Sequence, residues 1–345
     1  MSLMLDEIHQ QPDVIEKMVA AERDKTADLA SEIEKRDICF AVMAARGTSD
    51  HAAVYGKYLL EIKNRLPVAL ADPSVFTLYG AEMKMDRALV IGISQSGMAA
   101  DVAEFVAKSR EFGALTVGIT NEPGSTLASV AHRTILCHAG KEQGVAATKT
   151  YTSTLGALYL LSEALSHERG GGDKLLCCAD AMRSALEIEE QIADRAERYR
   201  YMQEGYVISR GLNYCTALEA ALKVAETSYV GLIGYSAADF MHGPIAAVHE
   251  NEACFLCAPP GKAYPTMLEM AKRLRERGAE TVTLSSVGEI LSLATTPFEL
   301  KVEVEEELSP LVYIIPGQLL AYYLAVARGY DPDRPRGLSK ITITR

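Results

Sequence analysis

Three successive polar residues stand in a glycine-bounded turn: Ser94, Gln95 and Ser96 within Gly92-Ile93-Ser94-Gln95-Ser96-Gly97. The apolar run 88–91 before the turn reads as a buried strand, and residues 98–112 after it read as a helix. Strand, tight turn and helix N-terminus together bring free backbone N–H groups, two hydroxyls and the positive end of the helix dipole to one point. Such a point binds anions, and phosphate is its natural guest. The pattern lacks the Gly-Lys-Ser/Thr ending of a Walker A loop and the three-glycine spacing of a dinucleotide fingerprint. A serine-hydrolase elbow would need Gly where Ser96 stands. A plain strand-to-helix turn is the competing reading of the same six residues.

A second polar group lies further along. Glu219, Lys223 and Glu226 are the only charged residues between Gly211 and Ala238. Their spacing puts them on one face of a helix. A solvent-facing stripe normally carries more charge, and more scattered. Two ion pairs between packed helices would explain them. So would the polar wall of a pocket in which a carboxylate beside Lys moves protons. His242 precedes Gly243-Pro244 and so falls where a helix cannot continue. A loop histidine is usually structural, but this one follows Glu226 closely in sequence. A third polar cluster runs from Gly144 to Ser153, and Thr148 is placed to cap the helix that follows it. Lys340, in the tail 336–340, indicates nothing by itself.

The elements that must hold these groups are written twice. Arg46-Gly47 and Arg210-Gly211 each end a strand-like run (38–44 and 205–209) and open a helix. Gly97 and Gly261 each close the loop after the next apolar strand, and similar strands start at Thr116 and Thr281. All three landmarks recur at nearly one offset, which marks a duplicated α/β unit. Strands of four to six residues alternating with helical segments predict parallel, doubly wound sheets, with ligands beyond the C-terminal strand ends. The second copy has Pro259 and Pro260 where the first has hydroxyls, so phosphate is expected only in the first.

The chain has 345 residues, enough for about two domains. Its 48% hydrophobic and 23% charged residues suit a globular protein. A net charge of −11 argues against nucleic acid as a partner but not against a small anion held by local donors. Residues 311–327 are apolar but contain Pro316, Gly317 and Gln318, and read as a turn plus a buried helix starting near Pro316, not as a membrane span. Seven cysteines in a chain this long suggest reduced thiols in the cytoplasm. Cys254 and Cys257 form a CxxC, but three apart on a strand they face opposite sides. No metal-ligand cluster stands out, and no cofactor is expected.

With these pieces in view, the chain resembles the SIS (sugar isomerase) family, and within it the isomerase half of glucosamine-6-phosphate synthase. The matching pieces run in order: Glu7-Ile8-His9-Gln10-Gln11-Pro12, Arg46-Gly47-Thr48-Ser49, the hexapeptide at 92–97, Gly144-Val145-Ala146-Ala147-Thr148-Lys149, Ala217–Lys223, Glu226, His242-Gly243-Pro244 and Leu338-Ser339-Lys340. The resemblance implies an α/β fold of two tandem SIS subdomains, each a doubly wound parallel sheet flanked by helices. It implies an N-terminal helical segment over 1–35, a phosphate-loop domain over 36–168, a catalytic-helix domain over 195–330 and a tail over 331–345 that completes the site. Ser94, Gln95, Ser96, Thr48 and Ser49 would contact the phosphate and sugar hydroxyls, and Val145 and Ala147 would line the sugar. Glu219 and Ser339 would also touch substrate. Glu226 would move a proton between C1 and C2, with Lys223 beside it. His242 would open the ring, reaching across from the partner subunit of a homodimer. Lys340 would be the amine able to form a Schiff base with an open-chain ketose.

The implied activity is conversion of glucosamine-6-phosphate to fructose-6-phosphate and ammonia, or the ammonia-dependent reverse. Its partners would be a sugar phosphate and a second copy of the chain, with no nucleic acid and no membrane. Glutamine is not expected to serve this chain on its own, because no nucleophilic Cys follows the initiator Met and the first is Cys39. Where the relative has an acidic residue and Thr after the loop glycine, Met98 and Ala99 stand here, and Ala147 replaces a Ser. These changes keep open a deglycase or isomerase of another sugar-amine phosphate, fructosamine-6-phosphate or galactosamine-6-phosphate. A non-catalytic sugar-phosphate sensor would have no reason to keep Glu226, His242 and Lys340 together.

Overall fold

The computed structural model describes residues 2–166, 170–338 and 340. The chain divides into two compact units: Gln10–Glu142 with Ala147–Ala179 and Ser339–Arg345, and Met1–His9 with Gln143–Ala146 and Asp180–Leu338.

The first of these is built on five parallel strands, β1 (Phe40–Ala44), β2 (Val68–Leu70), β3 (Ala88–Ile93), β4 (Leu115–Thr120) and β5 (Arg133–Leu136), in the order β2-β1-β3-β4-β5. Every residue of β3 and β4 is buried. That explains their near-continuous apolar runs, since a parallel sheet is covered on both faces. The helices that matter for the site are α1 (Thr48–Lys63) after β1, α2 (Ala100–Glu111) after β3, the short α3 (Thr126–Val130) after β4 and α4 (Lys149–Leu165) after β5. Val42 and Val90 pack under Val102, Phe105, Val106 and Leu127 on one face of the sheet. The strand order reverses between β1 and β3, which is where ligands bind in sheets of this kind.

The second unit repeats the plan with β6 (Glu204–Ser209), β7 (Gly231–Ser236), β8 (Ala253–Cys257), β9 (Glu280–Ser285) and β10 (Thr296–Glu299) in the order β10-β9-β8-β6-β7. Read from its other edge this is the order of the first sheet. The duplication expected from the sequence is therefore present in the topology, and each strand finds its counterpart. Helix α5 (Tyr214–Ser228) follows β6, the short α6 (Ala237–Met241) follows β7, and α7 (Ser309–Ala327) closes the unit.

Three local expectations need correction. The strand before the polar turn runs to Ile93 because Gly92 and Ile93 pair with Gly118 and Ile119, and helix α2 starts at Ala100 instead of Met98. The helix after Arg210-Gly211 is shorter than the charge pattern implied: a single 3-10 turn precedes α5, which stops where Tyr229 adopts a left-handed conformation. Helix α7 is continuous through Pro316, with no turn before it. Burial outweighs the hydrogen bond that proline removes, since 72% of the helix's most apolar window lies inside the protein. Gly317 lets α5 approach, because a Cβ there would stand 3.0 Å from that of Ala220. By length and composition α7 would also cross a membrane, but such burial is that of a core helix.

Candidate active site

Ser94, Gln95, Ser96 and Gly97 turn the chain from β3 toward α2, and the turn is braced from several sides. Gly97 donates its N–H to the Ser94 carbonyl at 3.0 Å and has φ +62°, a region that favours glycine. A Cβ on Gly97 would stand 2.1 Å from the Ser125 hydroxyl oxygen. Ser125 itself caps α3 by accepting the N–H of Ala128. The Gln95 carbonyl accepts the N–H of Asn121 at 3.0 Å and the Thr120 hydroxyl at 3.2 Å. Arg46 reaches from the β1–α1 turn to pair with Asp101 at 2.8 Å, tying that turn to the first turn of α2. Thr48 and Ser49 open α1 at this turn.

An open cleft of about 460 Å³ lies against the loop, lined by Gln95, Ser96, Met98, Lys141, Glu142 and Lys340, with Glu122 and Ser125. Of the residues expected to hold substrate, Gln95, Ser96 and Lys340 thus meet at one cleft. Ser94 is buried, and Thr48 and Ser49 are not among the lining residues. Ser339 lies outside the described residues.

Glu142 is the residue that the sequence did not announce. It is fully buried at the N-terminus of α4. Its carboxylate accepts the N–H of Thr148 at 2.9 Å, the N–H of Thr150 at 3.1 Å and the Thr150 hydroxyl at 2.7 Å. Lys340 Nζ completes the set at 2.8 Å. Burial works to raise this carboxyl's pKa, but Lys340 and the Thr148 and Thr150 donors outweigh it, so the group sits below the usual glutamate range. Thr148 does occupy the position before α4, yet its side chain makes no capping hydrogen bond. Glu142 caps the helix in its place, as expected where an anion competes with a hydroxyl for the helix dipole.

In the second unit, Lys223 Nζ lies 2.6 Å from Glu226 Oε2 and 3.3 Å from Glu219 Oε1. The side chains of Glu219 and Lys223 are 0% and 1% exposed, and that of Glu226 is 23% exposed. Glu226 is therefore the member of the stripe that a ligand can reach. Burial alone would push the Lys223 ammonium down; the two carboxylates outweigh it and hold its pKa above the usual lysine range. His242 is exposed at the end of α6. Glu7, itself buried, accepts the N–H groups of Gln143 and Gly144 beside half-buried Val145. Half-buried Ala147 belongs to the other unit.

The SIS domain model matches residues 37–164 and again 204–328. The chain belongs to the SIS domain family. Among curated relatives, the glutamine–fructose-6-phosphate aminotransferase (isomerizing) of Thermococcus kodakarensis is 35% identical over 98% of this chain. That of Methanothermobacter thermautotrophicus is 38% identical, also over 98%. The chain spans 57% and 56% of the length of these two relatives. Among solved structures, the C-terminal domain of glucosamine-fructose-6-phosphate aminotransferase from Francisella tularensis superimposes with a TM-score of 0.87 at 26% identity, covering 96% of this chain and 98% of that one. These likenesses support a sugar-phosphate isomerase.

The two SIS copies differ where a phosphate would sit. In the second, a cleft beside Pro260 and Ser286 is lined by Glu299, Glu303 and Glu305, with Lys301. Three carboxylates against one lysine there disfavour an anion, whereas in the first copy Lys141 and Lys340 offset Glu122 and Glu142 beside Ser96 and Gln95. Sequence reading missed Glu142, Asn121 and Ser125. Asn121 alone offered a signal, as the residue just beyond β4, where this fold places ligand loops. Glu142 offered none, since its partner Lys340 is 198 residues away.

Proposed function

We propose that this SIS protein converts glucosamine-6-phosphate to fructose-6-phosphate and ammonia, or runs the ammonia-dependent reverse, by moving one proton between C2 and C1. The observation that carries the reading is the stripe on α5, where a reachable carboxylate, Glu226, is hydrogen-bonded to a buried lysine. A carboxylate so placed can take a proton and return it. The names of the curated relatives, which pair fructose-6-phosphate with amine transfer and isomerisation, support the choice of substrate.

In this reading Ser94, Gln95 and Ser96, with Thr48 and Ser49, hold the phosphate and neighbouring hydroxyls, and remote binding energy fixes the open chain. Val145 and Ala147 line the sugar, with Ser339 beside it, while Glu219, expected to touch substrate, is fully buried and acts only through Lys223. His242 shuttles the proton that opens the ring, a task suited to imidazole at neutral pH. It does so from the partner subunit of a homodimer. Glu226 removes the C2 proton of the open-chain amino sugar, leaving an enolamine whose carbon C1 takes the same proton back. The product is the C2 iminium of the ketose. Water adds to C2 and ammonia leaves, giving fructose-6-phosphate. Lys223 orients the Glu226 carboxylate before the transfer, and Lys340 supplies positive charge at the phosphate cleft. A cytoplasmic enzyme using no glutamine belongs to the same reading.

Met98 favours a second reading. It is half exposed and lines the phosphate cleft, offering an apolar wall in place of a donor. A fructosamine-6-phosphate or galactosamine-6-phosphate would then be the substrate, with the same Glu226 and His242. The test is to incubate the protein with each sugar and follow ammonia and fructose-6-phosphate. Equimolar release of both from glucosamine-6-phosphate is the expected result. No release from it, alongside consumption of one of the others, would overturn the first reading in favour of the second.

A further inference from the structure

Lys340 comes from the end of the chain, where side chains are usually solvated. Here its ammonium lies against a fully buried carboxylate, and its own side chain is only 25% exposed. The carboxylate does not owe its place to the lysine. The N–H groups of Thr148 and Thr150 and the Thr150 hydroxyl hold the Glu142 carboxylate in one orientation, so the acceptor is aimed by contacts that do not involve the lysine. Its Oε2 is the atom that receives Lys340. Both residues line the cleft that also exposes Gln95 and Ser96.

We infer that Glu142 is a positioning residue: a fixed docking post that seats Lys340 at the phosphate cleft. The catalytic part of this inference rests on the function proposed above, in which Lys340 acts on substrate; the docking itself does not. Seated on Glu142, Lys340 points its amine at that carboxylate and lines the cleft. To attack a ketose carbonyl as a nucleophile it would have to leave this carboxylate and lose a proton, since only the neutral amine carries the lone pair. Contact with Glu142 and direct attack by Lys340 are therefore alternatives.

The experiment reads amine reactivity without substrate. The intact protein is treated with trace acetic anhydride, and mass spectrometry gives the acetylation rate of each lysine. In the wild type, Lys340 should react several-fold more slowly than the exposed Lys262, as expected for a part-buried amine whose hydrogens are engaged by a carboxylate. Glu142→Gln keeps the shape but cannot accept the ammonium with its amide nitrogen, and Lys340 should then react as fast as Lys262. Should Glu142→Gln prove unfolded by circular dichroism, Glu142→Asp retains the charge with a shorter reach and should give an intermediate rate. Equal wild-type rates for Lys340 and Lys262, or an unchanged Lys340 rate in a folded Glu142 variant, would overturn the docking. In turnover assays, Glu142→Gln combined with Lys340→Met should be no slower than Lys340→Met alone. Additive losses would contradict a role exerted through Lys340. Loss of all turnover by the wild type would count against the proposed function and leave the acetylation result standing.

Discussion

Lys223 shows how far a single residue can carry two jobs. It neutralises fully buried Glu219 and steadies Glu226, which a ligand can reach. Replacing it with Met leaves at least one buried carboxylate without its counter-charge, a change that costs about 3–5 kcal/mol in comparable pairs. Lys223→Met should therefore lower the midpoint of chemical denaturation well beyond the effect of an exposed lysine such as Lys262→Met. A shift no larger than that control would mean the pair is dispensable. The stripe was legible in the sequence because helical spacing alone sets its members on one face. Glu142 was not, because its proposed role depends on a lysine 198 residues further along. The expected Thr148 cap failed for a local reason: the Glu142 carboxylate accepts the Thr150 N–H that a Thr148 cap would have taken.

At the scale of the element, the polar turn after β3 depends on a glycine that cannot be replaced. Gly97→Ala places a methyl on the Ser125 side chain and strains a left-handed backbone. Backbone strain of this kind costs about 1–3 kcal/mol, and relieving the clash displaces the turn. The expected outcome is a raised KM for a phosphorylated substrate with a smaller change in kcat. An unchanged KM would show that the turn does not hold phosphate. Strand and turn were legible because apolar runs of β length are bounded by Gly and Ser. Helix α7 was misread because a proline rule was applied where enclosure by the surrounding core overrides it. No local signal distinguishes a buried Pro316 from a helix start.

At the scale of the whole molecule, duplication made one plan serve two purposes. Both sheets share one strand order, so the repeat read from Gly47 and Gly211, Gly97 and Gly261, and Thr116 and Thr281 corresponds to a repeat of structure. What diverged are the loops at the strand ends, where Pro259, Pro260 and nearby glutamates replaced the hydroxyls of the first copy. The proposed function accordingly places one phosphate loop in each chain, even though the chain as a whole carries a charge of −11. The family was legible because its motifs are spread over nearly the full length. The sugar was not, because Met98 and Ala147 alter contacts without naming a replacement.

The central claim is that Glu226 carries the proton between C2 and C1. Its most direct test compares wild type with Glu226→Gln on glucosamine-6-phosphate carrying deuterium at C2, following fructose-6-phosphate and its deuterium content at C1. Calorimetry on the same samples measures binding. The account predicts that Glu226→Gln binds the sugar nearly as well as the wild type, while product formation and label at C1 fall by about 10²–10⁴-fold. Turnover at the wild-type rate by this variant would contradict it.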